Sequence, residues 1–100
     1  MQTYENKDLR REILKTLYLA KSSSFKIRIL LRALRPTGFG DLSEAALLAE
    51  IIYLQKKGFI EVEKTKNLLT EEECDLIAIS PKGIDLLEGN CSDIGVSNGK

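Results

Sequence analysis

The sequence contains no histidine and no tryptophan, and it has only two cysteines and two prolines. Without histidine, the chain lacks the side chain that most often acts as a general base or activates a nucleophile. Cys74 and Cys91 are too few for a zinc site or a disulfide framework, so we expect two reduced thiols and no metal. The "GFGD" stretch lacks the further glycines of a phosphate-binding loop. These absences argue against an enzyme, and we expect no cofactor and no small-molecule substrate.

Long apolar runs are absent as well. The longest, residues 45–54, is interrupted by Glu50 and is far shorter than the ~20 residues of a membrane span. The first twelve residues contain no apolar stretch of the kind found in secretory signals, so we expect a cytoplasmic protein without membrane contact. The remaining composition, 43% hydrophobic and 30% charged, is typical of a folded chain. We predict one domain over residues 1–89, followed by a flexible tail over residues 90–100.

Charge is unevenly distributed along the chain, although the net charge is zero. Residues 1–35 contain nine basic and three acidic side chains, whereas residues 36–100 contain six basic and twelve acidic ones. This asymmetry predicts either a polyanionic partner for the first part of the chain or association of oppositely charged faces. A dipolar surface without any partner is the third interpretation, and the charge pattern alone leaves all three open.

Two amphipathic helices are predicted in the first third of the chain. Leu9, Ile13 and Leu17 recur at four-residue spacing and predict a helix over residues 6–20, which ends at the serines of "KSSS". A second helix is predicted over residues 25–34. Its apolar stripe and its basic stripe lie on different faces, and Ser23 or Ser24 is its expected N-cap. The apolar stripe consists of Ile27, Leu30, Leu31 and Leu34, and the basic stripe of Arg28, Arg32 and Arg35.

The segment that follows predicts a loop and a third helix. Pro36 and the glycines of "RPTGFG" end the second helix, because the residue before a proline is pushed out of the α region. Asp41 and Glu44 have the spacing of a capping box, which predicts that the third helix starts at Leu42. Gly58 ends this helix, with lysines in its last turn.

A hairpin and a short helix complete the predicted domain. "FIEVEK" (59–64) alternates apolar and charged residues, which indicates a half-buried strand, and "CDLIAIS" (74–80) predicts a second strand after a loop. Ser80 is the expected N-cap of a last helix, with Pro81 at its first position and Gly89 as its terminator.

This order of elements resembles the winged helix-turn-helix. "LAEIIYLQKKGFIEVE" (48–63) is similar to the end of a recognition helix and the first wing strand, and "IAISPKGIDLLEG" (77–89) is similar to the strand-to-helix segment of MarR- and PadR-like regulators. The length, the start "DLRREILKTLYLA" and the final "GIDLLEGNCSDIGV" also resemble the small winged-helix proteins of Mu-like phages and prophages. The resemblance implies a mainly α fold with a three-helix core, a small antiparallel β-hairpin as wing and a short C-terminal helix. It also implies a DNA-binding transcriptional regulator.

Double-stranded DNA is therefore the first expected partner, although the third helix departs from the family pattern. By the resemblance, Leu47, Ile51 and Leu54 face the core, and the groove-facing positions offer no side chain that usually reads bases. Glu44 at the start of this face would repel phosphates. We therefore expect phosphate contacts from the second helix, which crosses the DNA backbone in this fold, and from the wing. The candidates are Lys21, Lys26, Arg28, Arg32, Arg35, Lys64 and Lys66.

The alternative expectation is a protein-interaction module without sequence-specific DNA binding. The third helix has a second apolar stripe, distinct from the core stripe, and a helix that is apolar on two faces is usually buried on both. Either other helices of the monomer cover this stripe, or a protein partner or a second copy does, in which case a homodimer would join identical patches about a two-fold axis. The stripe consists of Ala45, Leu48, Ala49 and Ile52.

Overall fold

The computed structural model describes residues 4–20, 24–66, 69–70 and 73–97, except for the side chains of residues 73 and 74. Within these ranges the chain forms four α-helices, a short 3-10 helix and a two-stranded antiparallel sheet. In chain order these are α1 (Asn6–Leu19), α2 (Ile27–Leu34), the 3-10 helix (Arg35–Thr37), α3 (Glu44–Lys57), β1 (Ile60–Lys66), β2 (Glu73–Ile79) and α4 (Pro81–Leu87). The predicted architecture, mainly helical with a small antiparallel hairpin, is confirmed.

The three long helices enclose one apolar core. The buried side chains of α1 are Leu9, Ile13, Leu14 and Leu17, and those of α2 are Leu30, Leu31 and Leu34. On α3, the predicted core residues Leu47, Ile51 and Leu54 are all buried, so the core stripe of this helix is confirmed. Burial of each such aliphatic side chain contributes about 1.5–3 kcal/mol, so this core is the main source of stability that holds α2 and α3 side by side.

The hairpin packs its apolar face on this core and has a third, very short strand partner. β1 and β2 pair so that Ile60 lies opposite Ile79 and Val62 opposite Ile77. Phe25 exchanges two backbone hydrogen bonds of 2.8 Å with Ile77, and so adds an isolated bridge to β2. The sequence placed Phe25 inside the second helix, and this was wrong, because both of its backbone groups are engaged by the sheet.

The start of α2 differs from the prediction for the same reason. The helix begins at Ile27 with Lys26 as its N-cap, and no side chain caps it. Ser24 lies before the Phe25 bridge, and Ser23 lies outside the described residues. A serine N-cap was expected from composition, but the bridge at Phe25 lies between Ser24 and the first helical turn, and Lys26 takes the N-cap position.

The turn between α2 and α3 is tighter than the sequence suggested. Arg35 keeps α-helical angles (φ −55°, ψ −45°) although it precedes Pro36, and the chain continues into the 3-10 helix. The predicted end of the second helix at Leu34 is confirmed, but the expectation that Pro36 pushes Arg35 out of the α region was wrong. The Arg35 guanidinium donates two hydrogen bonds to the Leu42 carbonyl, and the Thr37 hydroxyl donates one to the Leu34 carbonyl at 2.7 Å. These contacts offset the steric preference of a residue before proline.

The N-terminal end of α3 differs from the prediction, and its C-terminal end agrees with it. Ser43, not Asp41, is the N-cap: its hydroxyl accepts a hydrogen bond from the Ala46 amide at 3.1 Å. The capping box is thus replaced by a serine cap, because Leu42 is buried in the core rather than wound into the helix. At the other end, Gly58 adopts a left-handed φ of 83°, as its position predicted.

Ser80 joins the hairpin to α4. Its hydroxyl accepts from the Gly83 amide at 3.1 Å and donates to the Gly58 carbonyl at 2.6 Å, so the predicted N-cap also binds the end of α3. A Cβ atom at position 83 would collide with the Phe59 carbonyl oxygen, so only glycine allows this close approach of α4 to the hairpin. Pro81 occupies the first turn, as predicted.

The residues after α4 fold back over the domain. In the C-terminal segment (residues 91–97), Val96 is buried in the core and the Ser97 amide donates a hydrogen bond to the Lys7 carbonyl at 3.1 Å. The structure places this segment against α1 and α3. The flexibility that the sequence predicted from residue 90 onwards stays a prediction.

Candidate nucleic-acid interface

The basic residues of α2 lie on its exposed face beside α3. Lys26, Arg28 and Arg32 are all exposed, and the four-residue spacing of the two arginines places them on one side of the helix. Arg28 is 85% exposed, and its Nε lies 3.8 Å from an oxygen of Glu44, a contact that contributes little in water. Arg32 has no ion-pair partner within the part of the chain that the structure describes. This row can therefore accept an anion such as a phosphate.

Another predicted phosphate contact, Arg35, is engaged in a contact within the chain. Arg35 uses its guanidinium to hold the Leu42 carbonyl, with N–O distances of 3.2 and 3.1 Å. Its main visible role is to fix the turn that orients α3. Lys21 lies outside the described residues.

The wing lysines face acidic neighbours across the hairpin. Register places Lys64 opposite Asp75 and Lys66 opposite Glu73, so each basic position on β1 is paired with an acidic position on β2. Opposite charges directly across a sheet attract each other, so Asp75 lowers the positive potential at Lys64. The wing is therefore a weaker anion site than α2.

No part of the chain that the structure describes covers the second stripe of α3. Ala45, Leu48, Ala49 and Ile52 are all exposed, and the two large side chains keep 45% and 43% of their surface. Ile29 of α2 is also 46% exposed. The outer face of the helix is thus apolar, and it offers aliphatic contacts rather than the amide or guanidinium groups that read base edges.

A groove of about 1040 Å³ runs between α2, α3 and the hairpin. Its floor is apolar and its rim carries charges of both signs. The apolar lining residues include Ile27, Leu48, Ile51, Val62 and Ile77, the basic ones are Lys26, Arg28 and Arg32, and the acidic ones are Glu44 and Asp75. The three basic residues of the rim are the basic row of α2, and Glu44 and Asp75 are the acidic residues nearest to that row in the groove lining.

Glu50, the glutamate that interrupts the apolar run, is buried on the core side of α3. It is only 8% exposed and forms an ion pair with Arg10 of α1. The Arg10 guanidinium also lies 3.7 Å from the centre of the Tyr53 ring and donates to the Gly95 carbonyl at 2.9 Å. Glu50 therefore plays no part in the outer face, and it links α3 to α1.

Asp93 extends this network into the C-terminal segment. Its carboxylate accepts a hydrogen bond from the Tyr53 hydroxyl at 3.2 Å and lies 3.5 Å from the Lys57 ammonium. Burial raises the pKa of Asp93, but hydrogen bonds from the Gly95 amide and Tyr53, together with Lys57, outweigh it and hold the pKa below its ordinary value. The carboxylate is therefore ionised at neutral pH and clamps the segment to α3.

Sequence reasoning missed this network, although one signal for it was present. Glu50 lies three residues after Leu47 and four before Leu54, which places it on the buried face of α3. A glutamate on a buried face requires a basic partner, and Arg10 follows directly after the buried Leu9. Spacing on α3 could therefore have predicted that Glu50 is buried and needs a basic partner, but not that Arg10 is that partner.

The described residues show no cluster of three or more side chains that could hold a metal ion. The same residues include no helix that is both long and apolar enough for a membrane span.

Three helices with a short bridging strand, a hairpin packed against them and a fourth helix define a winged helix-turn-helix fold. A crystal structure with this fold is that of a PadR-like transcriptional regulator from Bacillus cereus strain ATCC 14579, with a TM-score of 0.66 and 23% sequence identity. The similarity covers 81% of this chain and 75% of that chain. No family model and no curated protein matches the sequence. The comparison therefore confirms the winged-helix fold that the sequence predicted.

Proposed function

We propose that this chain is a small DNA-binding protein of the transcriptional-regulator type, which holds duplex phosphates through the basic row of α2. The observation that carries the proposal is the exposure of Lys26, Arg28 and Arg32 on the helix that precedes α3 in a winged-helix fold. In helix-turn-helix proteins the helix at this position crosses the DNA backbone. Two arginines and a lysine there can neutralise phosphates without reading any base.

The outer face of α3 limits sequence discrimination in this proposal. Before Gln55 this face presents Glu44 and aliphatic side chains, and none of these makes the bidentate contacts that distinguish base pairs. Most of the affinity then comes from phosphates, so binding depends steeply on salt and weakly on sequence. Lys64 and Lys66 of the wing add contacts only if phosphates compete successfully with the acidic residues across the hairpin.

The regulator class is supported by the shared fold with a protein described as a PadR-like transcriptional regulator. A phage or prophage type is supported by the resemblance of the first helix and of the last residues to small proteins of Mu-like phages. We also propose that the protein is cytoplasmic. We further propose that it acts as a homodimer, since winged-helix regulators use paired half-sites.

A second candidate function is a protein-interaction module that does not bind DNA. It is favoured by the exposed apolar side chains Ile29, Leu48 and Ile52, which form a patch on α2 and α3. A patch of large aliphatic side chains on a soluble domain marks an interaction site more often than a nucleic-acid site. In this function the arginines of α2 would form the polar rim of a protein interface.

The two functions are separated by titrating a fluorescent duplex with the protein at low salt. Under the DNA proposal, the double variant Arg28→Ala/Arg32→Ala loses most of the affinity, because it removes both charged side chains of α2. Lys15→Ala on the exposed surface of α1 is the matched control and should bind as the wild type does. Absence of any duplex affinity at low salt would contradict the DNA proposal, and equal affinity of the double variant would contradict the assignment to α2.

A further inference from the structure

Four exposed side chains form one straight row along α3: Glu44, Leu48, Ile52 and Lys56. They are spaced by four residues, so they lie along a single ridge of the helix that spans about 18 Å. The row begins with an acid, ends with a base and has two large aliphatic residues in between. Its midpoint is position 50, and the apolar residues are placed symmetrically about that point.

We propose that α3 pairs antiparallel with α3 of a second copy of this chain. The two-fold axis would pass the exposed face of α3 at the level of residue 50 along the helix. When two such ridges lie side by side in opposite directions, Glu44 of each copy meets Lys56 of the other, and Leu48 meets Ile52. Helices whose four-residue ridges interdigitate cross at about 50°, which is the commonest packing of helices in globular proteins. The row of one copy is thus complementary to the same row of the other copy, as an isologous interface requires.

The surroundings of the row fit a close helix pair. Ala45 and Ala49 line the neighbouring row, so the groove beside the ridge is shallow enough to admit the ridge of the second copy. Ile29 of α2 is half-exposed and lines the same groove as Ala45 and Leu48, so it extends the apolar area. The antiparallel direction also brings the positive end of each helix dipole near the negative end of the other.

Charge complementarity favours a second copy over an unrelated protein. The row carries one charge of each sign at equal distances from its midpoint. A second copy in the antiparallel direction therefore presents a charge of opposite sign at each end of the row. Glu44 also lies 3.8 Å from Arg28, but both side chains are largely exposed, so this contact leaves the carboxylate free to bind a lysine of the second copy.

Pairing of this kind removes the outer face of α3 from any DNA groove. A dimer formed through α3 and a complex in which α3 enters the major groove are therefore mutually exclusive. The pairing itself does not depend on DNA binding, and its test contains no DNA, so duplex binding by α2 and pairing through α3 can each fail without the other.

The test is a charge-reversal experiment read by sedimentation equilibrium or light scattering over a range of protein concentrations. The wild type should shift from monomer to dimer mass as concentration rises. Glu44→Lys and Lys56→Glu should each weaken the dimer by about tenfold or more, because each places like charges together at both ends of the interface. An equimolar mixture of the two variants should dimerise again, since one copy then carries only positive and the other only negative ends.

Glu61→Lys on β1 and Lys15→Glu on α1 are the matched controls, because they reverse exposed charges outside the row and should leave the mass unchanged. Leu48→Asp provides a second variant, which should stay folded by circular dichroism and remain monomeric. A wild type that is monomeric at every concentration would overturn the proposal. So would folded single variants whose mixture gains no dimer, or a folded Leu48→Asp protein that dimerises as the wild type does.

Discussion

Glu50 of α3 forms a buried ion pair with Arg10 of α1, and the same arginine stacks on Tyr53 one turn further along α3. A helix with glutamates in the recognition position looks unsuited to a polyanion. The structure separates the two glutamates into different roles: Glu50 is structural and buried, and Glu44 begins the exposed row. Only Glu44 therefore affects what the outer face can bind.

We expect Glu50→Ala to lower the free energy of unfolding by about 3 kcal/mol, because it leaves the Arg10 charge buried without its partner. Urea unfolding followed by circular dichroism measures the change. Glu61→Ala is the control: this exposed glutamate of β1 lies outside the proposed interface and should change stability by no more than about 0.5 kcal/mol. Equal effects of the two substitutions would show that the Arg10–Glu50 pair does not stabilise the fold.

Gly95→Ala should destabilise the protein, because the new Cβ atom would collide with the Tyr53 hydroxyl. Overpacking of this kind costs about 1–3 kcal/mol and should also release the C-terminal segment. Hydrogen exchange at the Ser97 amide reports the release directly, since this amide is bonded to the Lys7 carbonyl. Gly40→Ala is the matched control, because no atom lies within 4 Å of its added Cβ. A Gly95→Ala protein as stable as Gly40→Ala would contradict the packing described for the segment.

The lowered pKa of Asp93 predicts how stability depends on pH. A carboxyl group whose folded pKa lies below its unfolded value stabilises the fold above the unfolded value, and this contribution is lost as pH falls through the folded pKa. The wild type should therefore be more stable than Asp93→Asn at neutral pH, and the difference should shrink below the ordinary value of 3.8. Urea titrations of both proteins across this range measure the difference. A gap between them that stays constant with pH would exclude ionisation of Asp93 as its cause.

Arg35 and Arg32 should respond in opposite ways to alanine substitution. Arg35→Ala removes two hydrogen bonds to the Leu42 carbonyl and should lower the free energy of unfolding by about 1–2 kcal/mol, with little direct effect on duplex affinity. Arg32→Ala should leave stability unchanged and weaken duplex binding. Chemical unfolding and duplex titration of both variants at one temperature compare the two effects. If Arg35→Ala keeps full stability and weakens binding as strongly as Arg32→Ala, the division of roles between these arginines is wrong.

Salt should affect duplex binding in proportion to the number of phosphates contacted. If Lys26, Arg28 and Arg32 each neutralise one phosphate, the slope of log affinity against log salt is about −2.7 for each bound protomer. Arg28→Ala/Arg32→Ala should reduce the magnitude of that slope by about 1.8. Titrations at several salt concentrations give both slopes, and a double variant with an undiminished slope would place the phosphate contacts elsewhere on the surface.

Local sequence patterns predicted most of the fold. Long-range contacts account for the elements that the structure places differently from the prediction. Ser80, Pro81 and Gly58 occupy the positions that capping rules assign to them, because a helix end depends on the nearest few residues. Phe25 was misplaced because its strand partner, Ile77, lies far away in sequence.

Local patterns and long-range contacts also differ in what they reveal about the candidate site. The exposure of the second stripe on α3 could not be read from its spacing, because the pattern only shows that the stripe is apolar. Whether α1 or α4 covers it depends on how the helices pack. The Arg10–Glu50 pair joins residues forty positions apart, and the contact of Gly95 with Tyr53 spans a similar distance. Such contacts are fixed by tertiary structure and leave only weak traces in local sequence.

The close approach of Gly95 to the Tyr53 hydroxyl also limits which residues can occur together at positions 53 and 95 in sequences that share this fold. Position 95 can carry a side chain only where position 53 has a smaller residue, because both cannot occupy the same space. Loss of the tyrosine would in turn remove the surface on which Arg10 stacks and the donor that holds Asp93. Positions 10, 53, 93 and 95 should therefore vary together among relatives, and an alignment in which they vary independently would indicate a different course for the end of the chain.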